Sequence, residues 1–119
     1  MPRLDLQEWE ADGFPVIALA GDLSGQSVGD LRESFSRWQH AEAPRAMVDM
    51  SGVQFMDTSG LAHLIETHLK FERHGGRLVL FGLQPMIADV FEVTRVTALF
   101  HVASSQEAAV AVLREHAAG

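Results

Sequence analysis

The chain contains no cysteine, which removes disulfides, thiolate metal centres and cysteine nucleophiles together and fits a reducing compartment such as the cytoplasm. Positive charge is scarce: 9 Lys and Arg stand against 16 Asp and Glu, a formal net charge of −7. No global field therefore draws the protein to nucleic acid or to anionic lipid, and basic partners suit it better. No uncharged apolar run approaches the ~20 residues that span a bilayer, and Met1-Pro2-Arg3-Leu4-Asp5 lacks the apolar stretch of a signal peptide. The reading is a cytoplasmic protein without membrane insertion. Low-complexity linkers, like-charge blocks and internal repeats are missing too, which leaves one domain over 1–119 with a core of about 3–115. A chain of 119 residues can bury about two-thirds of its unfolded surface and needs no staples.

What is present is an alternation of element types. Residues 3–9 set Leu4, Leu6 and Glu8 against Asp5, Gln7 and Trp9, and 14–20 is an apolar run with Pro15 near its start. Ala11-Asp12-Gly13 carries the D-G turn signal between them, so the pair predicts an antiparallel hairpin. From Ser27 the period lengthens, with Val28, Leu31, Phe35 and Trp38 on one side, which predicts an amphipathic helix capped by Ser27. Ala46–Met50 reads as a strand, followed by a loop and a helix over 58–73 with Leu61, Leu64, Ile65 and Leu69 on one stripe. Gly75-Gly76 supplies its stop. Residues 77–82 are the next strand, Pro85 opens a short helix carrying Met86, Ile87, Val90 and Phe91, and Leu99–Val102 is a last short strand. Ser104-x-x-Glu107 has the form of a capping box for a terminal helix through Val110 and Leu113, in the Ala-rich stretch 108–118. The order ββαβαβαβα calls for an α/β fold: a mixed, mostly parallel sheet with the hairpin at its edge and four helices packed on its faces. Loops 21–27, 51–59 and 82–86 then share the rim at the strand C-termini, where ligands of such folds gather.

One segment of that rim carries arguable chemistry. Asp57-Thr58-Ser59-Gly60 stands between a strand and the start of a helix, where amides without internal partners and the helix dipole favour an anion. A hydroxyl there can serve as a switch, and the plainer role for Asp57 or Thr58 is helix capping. Other chemistries lack their parts. L-S-G-Q-S at 23–27 echoes a nucleotide-transporter signature, but no G-x-x-x-x-G-K-[ST] accompanies it. His63, His68 and His74 are spaced so as to scatter around a helix, so they read as solvated and no metal site is expected. Thr58-Ser59-Gly60 lacks the glycine that precedes the serine of a nucleophile elbow, so no catalytic residue is assigned. Phe35, Trp38, Phe55, Phe81, Phe91 and Phe100 fall on apolar periods and suit a core better than a base-stacking platform.

The residues from Val48 to Phe100, with V-D-M-S-G-V-Q-F-M-D-T-S-G-L, then H-G-G-R-L-V-L-F-G-L-Q-P and A-L-F, resemble a STAS domain of the anti-sigma factor antagonist type. The resemblance implies that Thr58, the hydroxyl residue after the aspartate, is a phosphorylation site. It also implies that the unphosphorylated protein binds an anti-sigma factor that is itself a serine/threonine kinase using ATP and magnesium, so freeing a sigma factor. A phosphatase is a possible further partner, direct nucleic-acid binding is not implied, and the chain needs no cofactor of its own. The docking surface is expected to comprise Asp57, Thr58, Ser59 and Gly60, flanked by Ser24, Gly25 and Gln26 and by Gln84, Pro85 and Met86. The sequence departs from the usual pattern where Gly21-Asp22-Leu23-Ser24 replaces G-E-L-D, where threonine replaces the more frequent serine, and where Val93-Thr94-Arg95-Val96 replaces T-G-L. Two further functions stay open: a STAS accessory subunit docking on the ATPase of a bacterial lipid-transport complex, and a small enzyme using the same rim.

Overall fold

Two positive backbone angles open the fold, at Asp12 (φ 53°) and Gly13 (φ 85°), and together they make the two-residue turn that the D-G signal predicts. The computed structural model describes residues 4–38 and 41–116. Around that turn β1 (Asp5–Ala11) pairs antiparallel with β2 (Phe14–Leu23), from Asp5 opposite Ala20 to Ala11 opposite Phe14. Then follow α1 (Val28–Ser36), β3 (Arg45–Met56), α2 (Thr58–Arg73), β4 (Arg77–Phe81), α3 (Pro85–Val93), a 3₁₀ turn at Val96–Ala98, β5 (His101–Ala103) and α4 (Gln106–Glu115). β2 to β5 are parallel, and the strand order is β1-β2-β3-β4-β5. The mostly parallel sheet with an antiparallel edge and four helices is as expected. Arg3 of the first strand segment and Ala117-Ala118 of the Ala-rich stretch lie outside the described residues.

Because the strand order never reverses, right-handed crossovers put α1, α2 and α3 on one face and leave α4 to the other. Alternating side chains feed the two layers. Ala46, Val48 and Met50 of β3 and Leu78 and Leu80 of β4 join Leu31, Phe35, Leu64, Phe71, Ile87 and Phe91 in the larger core, while Met47, Val79 and Phe81 meet Ala109, Val110 and Leu113 of α4 in a smaller one. Each fully buried Leu, Ile or Phe contributes roughly 1.5–3 kcal/mol. The absence of a reversal also means that the parallel strands form no switch-point crevice, so the rim is a surface for contact more than a pocket.

Several local expectations shift. β3 does not stop at Met50 but runs on through the expected loop to Met56, and β2 reaches Leu23 instead of residue 20. The two extensions pair with each other, with register shifts between Ala18 and Ala20 and between Gly21 and Asp22. At the second shift Val53 faces Gly21 and Phe55 faces Asp22, so Gln54 is a bulge; the interrupted alternation turns Phe55 outward, 50% exposed instead of in the core. Leu69, assigned to the apolar stripe of α2, is 43% exposed, because the stripe that packs is Leu64, Thr67, His68 and Phe71. Ser27 makes no side-chain cap: its Oγ accepts from Ser24 N–H (2.8 Å) and donates to the Asp22 carbonyl (2.9 Å), holding the β2–α1 loop. The α4 cap is Ser105, whose Oγ accepts from Ala108 N–H at 3.1 Å, one residue beyond the expected Ser104. Leu99 belongs to the turn before β5, which spans only His101–Ala103. Arg95 (φ 63°) takes a left-handed position in Val93-Thr94-Arg95-Val96, a conformation glycine adopts without a steric cost.

Candidate functional site

Asp57 governs the start of α2. Its extended backbone (φ −97°, ψ −179°) ends the β3 extension, and its carboxylate accepts Gly60 N–H at 2.8 Å, capping the helix as the plainer sequence reading allows. The second carboxylate oxygen accepts Gly25 N–H at 3.2 Å, and Asp57 N–H donates to the Leu23 carbonyl at 3.2 Å. One side chain thus ties the β2–α1 loop to the box. Gly60 N–H, then Gly25 N–H, stabilise the charged form and hold the Asp57 carboxyl below its ordinary range, with a small opposing effect of burial. None of these bonds uses the side chain of residue 24, so the Ser24 departure leaves the loop's attachment intact.

Gly60 is the point of closest approach. A Cβ there would overlap the Leu23 carbonyl, so only glycine lets the first turn of α2 rest on the end of β2. With Gly60 buried beneath them, Thr58 and Ser59 occupy the first turn and both are exposed. The Thr58 hydroxyl is therefore reachable by another macromolecule and sits beside a permanent carboxylate at a helix N-terminus. Gly25 lies over Ser59, within 3.4 Å of its side chain for a Cβ placed at Gly25. Gly25, between Ser24 and Gln26, thus meets the box at both Asp57 and Ser59.

The third expected segment bonds to β3. Gln84 donates from Nε2 to the Ser51 carbonyl at 2.6 Å, where β4 has ended and β3 continues alone beside β2. Pro85 and Met86, the latter 68% exposed, follow it in the first turn of α3.

Other residues approach the box that sequence reasoning passed over. Val28 and Arg32 of α1 and Ala62, His63 and Glu66 of α2 line a shallow cleft with Gly25 and Ser59. The three- and four-residue steps 59, 62, 63 and 66 carry a helical signal that lies off the apolar stripe. The expectation of solvated histidines fails for two of three: His63 is 5% and His68 3% exposed, whereas His74 is exposed. Burial pushes the His63 imidazolium pKa down; the Glu66 charge opposes this, and Arg32 and Lys70 add to it. Among the described residues, neither ring nitrogen of His63 finds a hydrogen-bond partner. The neutral ring is accepted because it packs between α1 and α2, which a period count along α2 alone does not reveal.

Among the described residues, no helix is long and apolar enough to cross a membrane. The model of the STAS domain matches residues 7–109. An anti-sigma-B factor antagonist of Staphylococcus aureus is 24% identical over 105 residues, covering 88% of this chain and 97% of the relative. Among solved structures, an anti-sigma factor antagonist from Mycobacterium paratuberculosis superposes with a TM-score of 0.81 at 19% identity, over 94% of this chain and 95% of the other. The Bacillus cell fate determinant SpoIIAA in its phosphorylated form gives 0.67 at 24% identity, over 92% and 98%. These structures share the fold, and the match over residues 7–109 establishes that the chain belongs to the STAS domain family, among relatives named anti-sigma factor antagonists.

Proposed function

We propose that this protein is a phosphorylation-switched anti-sigma factor antagonist. In its unphosphorylated form it docks on an anti-sigma factor with serine/threonine kinase activity, in the cytoplasm, and so releases a sigma factor; its work is binding, not turnover. The observation that carries the reading is the exposed Thr58 hydroxyl at the first position of α2, directly after the pinned Asp57 carboxylate. The docking surface is Asp57–Gly60 with Ser24–Gln26, joined by exposed Phe55 and the adjoining α1–α2 cleft, and Gln84–Met86 serve as a further contact. Phosphorylation would add about −1.5 to −2 charge on a surface that already holds Asp57. Free helix amides and the dipole soften that cost in the isolated protein. A partner packed against a bare hydroxyl gains bulk and repulsion at one atom, and the complex weakens.

Incubation with the cognate kinase and Mg-ATP is expected to add one phosphate, located on Thr58 by mass spectrometry. Thr58→Glu should weaken binding to the anti-sigma factor at least about tenfold, a difference of 1.4 kcal/mol, while Thr58→Ala retains it. Phosphate confined to Ser59, or equal affinities for the two variants, would refute the switch. The threonine at 58 and Leu61-Ala62-His63-Leu64-Ile65 after the box favour a second reading, a STAS subunit docked on a lipid-transport ATPase. A neighbouring permease and ATPase gene in place of a kinase and sigma factor gene would select it.

A further inference from the structure

At the opposite end of α2 three ligating side chains converge from two elements. His68 and Glu72 are one helical turn apart on the same side of α2, and His101 reaches them from the edge strand β5. Their ligand atoms all lie within 4.8 Å of one another. His101 Nε2 is 2.9 Å from Glu72 Oε1, and His68 Nε2 is 3.9 Å from the same oxygen, too far for a hydrogen bond.

We propose that His68, Glu72 and His101 form a binding site for a divalent transition-metal ion of the zinc class, with three protein ligands and a fourth position open to water. Two imidazoles and one carboxylate are the donor set such an ion takes, and bonds of about 2.0–2.2 Å in tetrahedral geometry place ligand atoms about 3.4 Å apart. The observed 2.9 and 3.9 Å to Glu72 bracket that spacing and the third pair, His68 with His101, lies within 4.8 Å, so modest side-chain rotations draw the three ligand atoms into a tripod. Glu72 and His101 are about one-third exposed, which gives an ion a path from solvent.

The Glu72–His101 hydrogen bond alone does not account for His68. This ring is 3% exposed, wedged edge-on against Phe100 with centroids 5.3 Å apart, and its Nδ1 finds no hydrogen-bond partner among the described residues. It spends that burial to aim Nε2 at a carboxylate it does not hydrogen-bond. An imidazole nitrogen buried in this way is set beside the carboxylate with no solvent of its own, the position a metal ligand takes. Ligation through Nε2 uses the His101 tautomer that carries its proton on Nδ1. The ion would then bolt the last turns of α2 to β5, a strand of 3 residues at the sheet edge.

The test is calorimetric titration of the chelator-treated full chain with zinc sulfate, paired with the visible absorption of the cobalt(II) form. One equivalent should bind at micromolar or lower Kd, with a tetrahedral cobalt spectrum and a raised thermal midpoint. Glu72→Gln and His101→Asn, both on part-exposed positions, should each weaken zinc binding at least about tenfold. His74→Asn and His116→Asn should leave it unchanged. Circular dichroism establishes that each variant is folded, and if His101→Asn is not, Glu72→Gln decides. No binding at about 100 µM zinc, or parent-like binding by folded Glu72→Gln, would overturn the site.

Discussion

At its N-terminal end α2 leaves polar groups in water and positions them with backbone hydrogen bonds, whereas towards its C-terminal end it buries aromatic and imidazole rings against neighbouring elements. Thr58 and Ser59 are exposed over a glycine, with Asp57 bonded to Gly60 and Gly25. Fourteen positions along, about 21 Å at 1.5 Å per residue, Glu72 meets His101, and Phe71 beside it packs at 6.2 Å from Phe35 and 6.1 Å from Trp38. The first arrangement costs little to rearrange and can be read by a partner. The second supplies stability and holds the helix in place.

That division can be broken from either side. Phe71→Ala should have the largest effect on stability, a loss of about 3–5 kcal/mol by urea unfolding. Affinity for the anti-sigma factor, corrected for the folded fraction, should stay unchanged, and a matching loss of affinity would mean that the two ends are coupled. Gly60→Ala should cost about 1–3 kcal/mol, because the new methyl displaces α2 from the Leu23 carbonyl. Here affinity should fall as well, since the displaced turn carries Thr58; wild-type stability would show that the close approach is relaxed at little cost. The smallest effect concerns pH. The His63 pKa lies below its unfolded value of 6.5, so the unfolded chain takes up protons first as pH falls. Its contribution is fully present above about pH 6.5 and is lost as pH drops towards the folded value. Urea midpoints should therefore decline between pH 7.5 and 5.5, less steeply in His63→Leu; identical slopes would assign the decline to other groups.

Much of this was legible before any coordinates. The D-G turn, Pro85 at the first position of α3, the span of α2 and its stop at Gly75 all depend on local backbone chemistry, and each stands where local rules put it. Asp57 as a cap and Thr58 at a helix start follow from the same rules. Phe55, Leu69, Ser27 and the two buried histidines are different in kind. Phe55 turns outward because a bulge arises when β2 and β3 pair, and neither strand's own alternation encodes a register shift with the other. Ser27 gives up its capping role because its hydroxyl is engaged by the Asp22 carbonyl and the Ser24 N–H that precede it.

The amino-acid sequence by itself determined the element order, the apolar periods and the box of Asp57, Thr58, Ser59 and Gly60 that carries the family resemblance, because these rest on interactions within a few residues. Only the tertiary structure decided that Gly25 meets Asp57, that Gln84 meets Ser51 instead, and that His101 comes to His68 and Glu72. Those contacts join residues about 30 positions apart, and their geometry is set by how strands pair and helices pack, a property of the assembled sheet and of no single segment.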